Sequence, residues 1–357
     1  MTFKRGNMQI ITLKTISAET NIYVGLTFAD FKSKIEDMRI LNQVRNDIIS
    51  DITIITDSNV RAIYGKHFSE FNVIELKPVE GSKSLNTIEN IYQQLLEYKI
   101  DRHGLIIGIG GGVVCDISGF VASTYLRGLR FGFVASTLLA QVDAAIGGKN
   151  GVNFLNYKNI IGTITQPEFV ICDSRMLDTL PIQEYRCGLA EIVKTALAGN
   201  KDLFTLLELN IDSINNKDNS ILNKIILEAI KFKVSIIEQD EKDKGIRQIL
   251  NLGHTFAHAI ESNTGMSHGE TVSIGLCKSA EISVKMGFLN NSVYGRIKSL
   301  LNKFNLPIET KLSFEEMLPA MMKDKKRDDD KINIILIKDI GEPIIHKFNS
   351  EELNKLF

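Results

Sequence analysis

Residues 105–167 constrain the fold more than any other part of this 357-residue chain. The stretch opens with the apolar run Leu105-Ile106-Ile107, breaks into Gly108, Gly110, Gly111 and Gly112, and continues as a helix-like run. An apolar strand that ends in glycines ahead of a helix suits a nucleotide pyrophosphate. Glycine lets the backbone approach the phosphate, and the helix start offers free N–H groups and a partial positive charge. The spacing is not a full G-x-G-x-x-G, because Val113 stands where the third glycine would be. Behind it, Asp116, Arg127, Asp143, Lys149, Asn153, Lys158 and Asn159 are threaded between apolar or glycine-rich pieces. Charges in segments built to be buried need partners, and a polyanionic ligand is one candidate.

The rest of the chain frames this stretch. Residues 51–56 are strand-like and stop at Asp57-Ser58-Asn59, a turn that can also cap the next helix. Residues 72–76 form another strand, and residues 87–98 carry Ile88, Ile91, Leu95 and Tyr98 at helical spacing. Strand-like pieces recur at 131–135 and 169–172. Strands alternating with helices imply a parallel sheet, with ligands at the carboxyl ends of the strands. Residues 57–59, 108–112 and the end of the 131–135 strand are expected to meet there. After Asp173 the pattern turns helical, at 184–198, 222–239, 251–263 and 269–286. A charged segment, Lys323-Asp324-Lys325-Lys326-Arg327, then precedes a strand at 332–337. The reading is α/β plus all-α: an N-terminal Rossmann-like domain with a parallel-rich sheet over 1–176, a helical domain over 177–357, and an active site in the cleft between.

Composition narrows the classes of function. With 44% hydrophobic residues, 24% charged residues and a net charge of -1, the chain has no bias to disorder, nucleic acid or membrane surfaces. It lacks a run of about 18 apolar residues, and MTFKRGNMQI has no signal-peptide core. Cys115, Cys172, Cys187 and Cys277 form no C-x-x-C pair and fit a reducing compartment. A cytoplasmic protein is expected.

The chemistry-bearing residues cluster in the helical half. Residues 253–261, GHTFAHAIE, put His254 and His258 on one helix face, and His268 follows in SHGE. Imidazoles with a carboxylate are the usual ligands of a catalytic zinc, and Glu191 in GLAEIVK is a candidate carboxylate. Spacing alone selects His254 and His258 together as ligands. It equally allows Glu191 to pair with Lys194 and the histidines to cap local backbone. Arg247 and Asn251 are four apart and can point together, whereas Lys233 on spacing alone is a surface charge.

Taken together, GGGVVCDISGF, TYLRG, LLAQVDAAIGGKNGVN, KNIIG with QP, GLAEIVK, residues 240–247, LNLGHTFAHAIE and SHGE resemble the 3-dehydroquinate synthases of the sugar-phosphate cyclase superfamily, over roughly residues 50–340. The resemblance implies an NAD-dependent, zinc- or cobalt-dependent lyase of the shikimate pathway, acting as a cytoplasmic homodimer on a small sugar phosphate. It implies Glu191, His254 and His268 as metal ligands, with His258 facing the substrate as an acid/base group. NAD would be held by Asp57, Asn59, Glu80, Lys83, Gly110, Gly111, Gly112, Val113, Asp116, Ser136 and Thr137, with Asp143, Lys149 and Lys158 adjoining. Substrate would meet Arg127, Asp143, Lys149, Lys158, Asn159, Lys194, Lys233, Arg247, Asn251, His258 and Lys325 or Lys326. Of these, His258, Lys149, Lys194 and Arg247 carry the catalytic role. Ala135, Asn150 and Val79 depart from the family's usual proline, threonine and glycine. Cyclases of sedoheptulose 7-phosphate and metal-dependent alcohol dehydrogenases of the glycerol dehydrogenase type are the rival readings. Lys233, Arg247 and Asn251 favour a carboxylate-bearing substrate over the first, and the phosphate-clamping lysines argue against the second.

Overall fold

The computed structural model describes residues 8–30, 51–155, 157–323 and 331–356. The chain forms two compact units, Met1–Leu180 and Pro181–Phe357. In the first, seven strands make one sheet: β1 (Gln9–Lys14), β2 (Glu19–Val24), β3 (Ile52–Asp57), β4 (Asn72–Leu76), β5 (Leu105–Gly110), β6 (Arg130–Ala135) and β9 (Phe169–Cys172), in the order β1-β2-β9-β6-β5-β3-β4. Every pairing is parallel except that of β1 with β2. Thr56 pairs with Ile109 and Gly110 with Ala135, so the carboxyl ends of β3, β5 and β6 lie side by side, as expected. The sheet core is β-branched and buried, with Ile54, Ile107, Ile109, Val134 and Ile171 at its centre.

The helices α1 (Ser58–Tyr64), α2 (Leu85–Glu97) and α3 (Gly112–Thr124) follow β3, β4 and β5. The strand β5 runs on through Gly108 and Gly110 rather than breaking there. A Cβ on Gly108 would stand 2.8 Å from Ser118 Oγ, and one on Gly110 would stand 2.5 Å from Val114 Cγ2. These two glycines therefore let α3 lie close on the strand, and the turn itself belongs to Gly111, the residue that caps α3. Two hairpins escape the sequence reading. One is β1–β2. The other joins β7 (Lys149–Phe154) to β8 (Tyr157–Ile164), where strand period is hidden by glycines. Its strands approach closely at those glycines: a Cβ on Gly162 would meet Asn150 O at 2.4 Å.

The second unit is helical. It comprises α4 (Ile182–Gly199), α5 (Lys201–Leu209), α6 (Ile211–Asn215), α7 (Asn219–Gln239), α8 (His254–Thr264), α9 (His268–Lys285), α10 (Asn291–Lys303), α11 (Phe314–Lys323) and α12 (Ser350–Asn354), with a hairpin of β10 (Ile332–Asp339) and β11 (Glu342–Phe348). The helix expected at 251–263 starts three residues late, because Ile246–Asn251 forms a 3-10 helix and Gly253 turns the chain at φ +78°. A core of Phe256, Ile260, Ile274, Met317, Ile334 and Leu336 joins α8, α9, α11 and β10. Among the described residues no helix is long and apolar enough to cross a membrane.

The crossing of α8 and α9 is closed by glycine. A Cβ on Gly275 would meet Gly253 O at 2.1 Å and Ala257 N at 3.2 Å, so the helices must part if a methyl enters. Gly275→Ala is expected to destabilise the protein by about 1–3 kcal/mol, as overpacking does in a filled core. Urea unfolding of the variant beside the parent checks this, and an unchanged midpoint would refute it.

Candidate functional site

In the second unit the site is built around one buried carboxylate. Glu191 lies on the inner side of α4 with no solvent exposure, flanked by Ala190, Ile192 and Val193. Taking a carboxylate out of water costs several kcal/mol unless charges or donors replace the lost hydration. Three groups do so. Lys194 Nζ stands 2.5 Å from Glu191 Oε2, one helical turn along. His268 Nε2 stands 3.0 Å and His254 Nε2 3.7 Å from the other oxygen, Oε1. The pairing of Glu191 with Lys194 and its approach to the imidazoles, alternatives on spacing alone, therefore coexist on its two oxygens.

Each imidazole arrives from a helix start. Gly253 in the left-handed region makes His254 the first residue of α8, and its Nδ1 lies 3.2 Å from Leu252 O. That contact leaves Nε2 as the unprotonated donor. His268 is the first residue of α9, where Ser267 and Glu270 form a capping box. Burial first, then the charge of Lys194 and the other two rings, hold His254 down to about 3 against the pull of Glu191. Burial acts the same way on His268, but the hydrogen bond to Glu191 and the nearby carboxylate charges of Glu191 and Glu261 outweigh it and push this ring up to about 10. A proton on His268 sits where a cation would neutralise the same carboxylates.

Ligand atoms of Glu191, His254 and His268 all lie within 4.8 Å of one another, a donor set that fits zinc or cobalt. His258, chosen with His254 on spacing, is outside this trio. Its ring stands edge-on to His254, with centroids 5.5 Å apart, because a four-residue step puts it one turn along the same helix. Lys233 on α7 and Arg247 are buried, and Arg247 Nη1 donates to Glu241 O at 2.7 Å. Asp240 shapes that loop by accepting from the backbone N–H groups of Lys244, Gly245 and Arg247. Asn251 is exposed at the end of the 3-10 helix. Lys325 and Lys326 lie outside the described residues.

In the first unit the expected cofactor residues gather at the carboxyl end of the sheet. Asp57 ends β3 and caps α1, accepting from the N–H groups of Asn59 and Val60 at 2.9 and 3.0 Å. Burial raises its carboxyl, and these two hydrogen bonds work against that. Gly110, Gly111, Gly112 and Val113 form the strand-to-helix turn, and a Cβ on Gly111 would meet Thr137 Cγ2 at 3.0 Å. Ser136 N donates to Gly110 O, and Thr137 Oγ1 accepts from Ala140 N at the start of a π-helical turn, Ala140–Ala144, that carries Asp143.

A polar knot lies alongside. Lys83 Nζ contacts Asp116 Oδ2 at 2.6 Å, Asn159 Oδ1 at 2.5 Å and Glu80 Oε1 at 3.5 Å. Asn153 Nδ2 donates to Glu80 Oε1 while its Oδ1 accepts from Asn159 N. Burial holds the Asp116 carboxyl up at about 6, against the attraction of Lys83. Lys149 and Lys158 stand exposed on the β7–β8 hairpin. Arg127 is apart from this group: it follows α3, close before Arg130, which pairs with Leu105 at the opposite end of β5. The sequence reading missed Asn150 as a structural group. Its buried amide donates to Gly148 O and Thr165 O, and a Cβ on Gly119 would stand 2.0 Å from its Oδ1.

Comparison with known proteins places the chain. The family described as 3-dehydroquinate synthase N-terminal matches residues 73–187, and 3-dehydroquinate synthase C-terminal matches residues 188–327. A 3-dehydroquinate synthase of Dehalococcoides mccartyi (strain CBDB1) is 40% identical over 305 residues, which cover 82% of this chain and 85% of that protein. Among solved structures, the 2-epi-5-epi-valiolone synthase ValA of Streptomyces hygroscopicus subsp. jinggangensis 5008, with NAD+ and Zn2+ bound, has TM-score 0.83 at 24% identity, over 98% of both chains. A 2-deoxy-scyllo-inosose synthase complexed with carbaglucose-6-phosphate, NAD+ and Co2+ has TM-score 0.83 at 23% identity, over 98% of this chain and 99% of that one. These two likenesses establish the fold.

Glu191→Gln keeps the shape of α4 but removes the charge that faces Lys194 and both imidazoles. Its affinity for Co2+ is expected to fall by at least about tenfold. Competition with a chromophoric chelator measures this, and parental affinity in the variant would contradict the assignment.

Proposed function

The chain belongs to the 3-dehydroquinate synthase family, and on that premise we propose that it converts 3-deoxy-D-arabino-heptulosonate 7-phosphate to 3-dehydroquinate and phosphate. The observation that carries this reading is the convergence of Glu191, His254 and His268 on one point. Two imidazoles and one carboxylate hold a catalytic divalent ion while leaving it a face for substrate. Zinc or cobalt held there would supply a Lewis acid for a substrate oxygen, and NAD+ would supply reversible hydride transfer.

The chain's own residues bind, orient and move protons. Asp57 and Asn59, the Gly110–Val113 turn, Ser136 and Thr137 would form the cofactor cradle, where N–H groups at the start of α3 would suit a pyrophosphate. Glu80, Lys83 and Asp116 already form a bonded set beside it, so little ordering remains to be done on binding. Asp143, Lys149 and Lys158 border both cofactor and substrate. The ammonium groups of Lys149 and Lys158, both exposed, are proposed to clamp the phosphate together with Asn159.

Lys194, Lys233 and Arg247 are buried, Lys194 beside Glu191 Oε2, and with Asn251 they are proposed to orient the substrate carboxylate and hydroxyls. His258 is proposed as the acid/base group, because it stands next to the ligand trio without belonging to it. With His258 as the base, removal of a proton beside a ketone carbon would let phosphate leave by elimination, and the basic clamp would hold the leaving group. At the three departures from the family pattern, Val79 is exposed, Ala135 O accepts from Gln141 Nε2, and Asn150 Nδ2 donates to Gly148 O and Thr165 O. The enzyme is proposed to work in the cytoplasm as a homodimer, with one lysine of Lys325 and Lys326 completing the substrate contacts.

The test is phosphate release from the heptulosonate 7-phosphate, beside sedoheptulose 7-phosphate, with NAD+ and Zn2+ or Co2+ supplied. Release from the heptulosonate alone is expected, with no net NADH absorbance and with loss of activity on chelation. Turnover of sedoheptulose 7-phosphate would move the substrate assignment, and accumulating NADH would make the protein a dehydrogenase. His258→Asn is expected to lower kcat by about 10²–10⁴-fold while Co2+ affinity stays near the parental value.

A further inference from the structure

The motif LNLGHTFAHAIE ends in a residue without a role so far, Glu261. It stands three residues after His258 and seven after His254, so all three lie on one stripe of α8. Its backbone carbonyl accepts from Gly265 N, where the left-handed Gly265 ends α8. Only Met266 and Ser267 then separate that glycine from His268 at the start of α9. The short connection brings Glu261 up behind the ring: Glu261 Oε2 lies 3.8 Å from His268 Nδ1, while His268 Nε2 faces Glu191 Oε1 at 3.0 Å. Glu261 is itself only 18% exposed.

The other imidazole is arranged in the same way. His254 has Nδ1 at a fixed acceptor, Leu252 O, and Nε2 toward Glu191. An acceptor behind Nδ1 keeps the proton on that nitrogen and presents the Nε2 lone pair forward. A carboxylate in that place also raises the basicity of the ring more than a carbonyl does. We infer that Glu261 is a positioning residue of the metal centre, holding the His268 ring by Nδ1 so that Nε2 is presented with Glu191 and His254 to a divalent ion. The two histidines then differ in what stands behind them, a neutral carbonyl for His254 and an anion for His268. The Ser267–Glu270 capping box fixes where α9 begins and hence the backbone of His268, whereas Glu261 fixes its ring.

The inference rests on the metal centre proposed above, so its test separates the two. Co2+ is titrated into the parent, Glu261→Ala, Glu261→Gln and Glu191→Gln, with affinity read by chelator competition and geometry by the visible absorption of the bound ion. Glu261→Ala is expected to lose about 10–100-fold in Co2+ affinity and to alter the absorption spectrum, and Glu261→Gln, which keeps an acceptor without the charge, to lose less. The thermal midpoint of metal-free Glu261→Gln is expected to match the parent, which separates a positioning effect from a general loss of structure. Should Glu261→Ala fail to fold, the Gln variant decides by the same comparison. If both Glu261 variants bind Co2+ within twofold of the parent with unchanged spectra while Glu191→Gln does not, the role of Glu261 is wrong and the metal centre stands. If Glu191→Gln binds as the parent does, the metal centre is wrong and the role of Glu261 falls with it.

Discussion

Everything in the second unit answers to one buried anion. Glu191 has no contact with water, so its charge must be met from within the protein, and it is met on both oxygens: by Lys194 on one and by two imidazoles on the other. Satisfying one carboxylate in this way forces three helices to a common point. The helix α4 supplies Glu191 and Lys194, α8 begins with His254, and α9 begins with His268. Removing one partner of such a group leaves a charge stranded in a low-dielectric interior, an expensive state. The geometry that solves this folding problem is the geometry a divalent ion needs.

Close approach is what makes the convergence possible. Gly253 both turns the chain into α8 and leaves its carbonyl against Gly275 of α9, and a Cβ on Gly269 would lie 2.1 Å from Cys187 Cα on α4. The three helices that carry Glu191, His254 and His268 thus touch at glycines, where backbones can meet. The first unit uses glycine for the same purpose, at Gly108 and Gly110 beneath α3 and at Gly151 and Gly162 across the β7–β8 hairpin. Its charges follow the logic of Glu191 with less burial. Lys83 is held by Asp116, Glu80 and Asn159 as a preformed polar knot.

Much of this was legible in the residues. The buried strands β3, β5 and β9 announce themselves as apolar runs rich in β-branched residues, β6 by its Phe131, Phe133 and Val134, and the long helices by their apolar period. The strands β1, β2, β7, β8 and β11 were not legible. The hairpin β7–β8 reads as a charged, glycine-rich loop because its pairing depends on glycines that erase the alternation on which a strand is recognised. The site divides similarly. A four-residue step identifies two histidines on one face, but a helix period says nothing about which ring a distant carboxylate will meet, and here it meets His268 as well as His254. Family resemblance supplied that third histidine where spacing alone selected His258. Glu261 and Asn150 both stand in quoted motifs, but their roles were not legible because they lie in contacts with other elements.

The central claim is that the charge on Glu191 organises a metal centre together with His254 and His268. Anomalous diffraction at the cobalt edge from crystals grown with Co2+ tests it most directly. The account predicts one strong peak with Glu191, His254 Nε2 and His268 Nε2 as its protein ligands and with His258 outside the coordination sphere. A peak ligated by His254 and His258, or one elsewhere in the chain with the Glu191–Lys194 pair undisturbed, would contradict it.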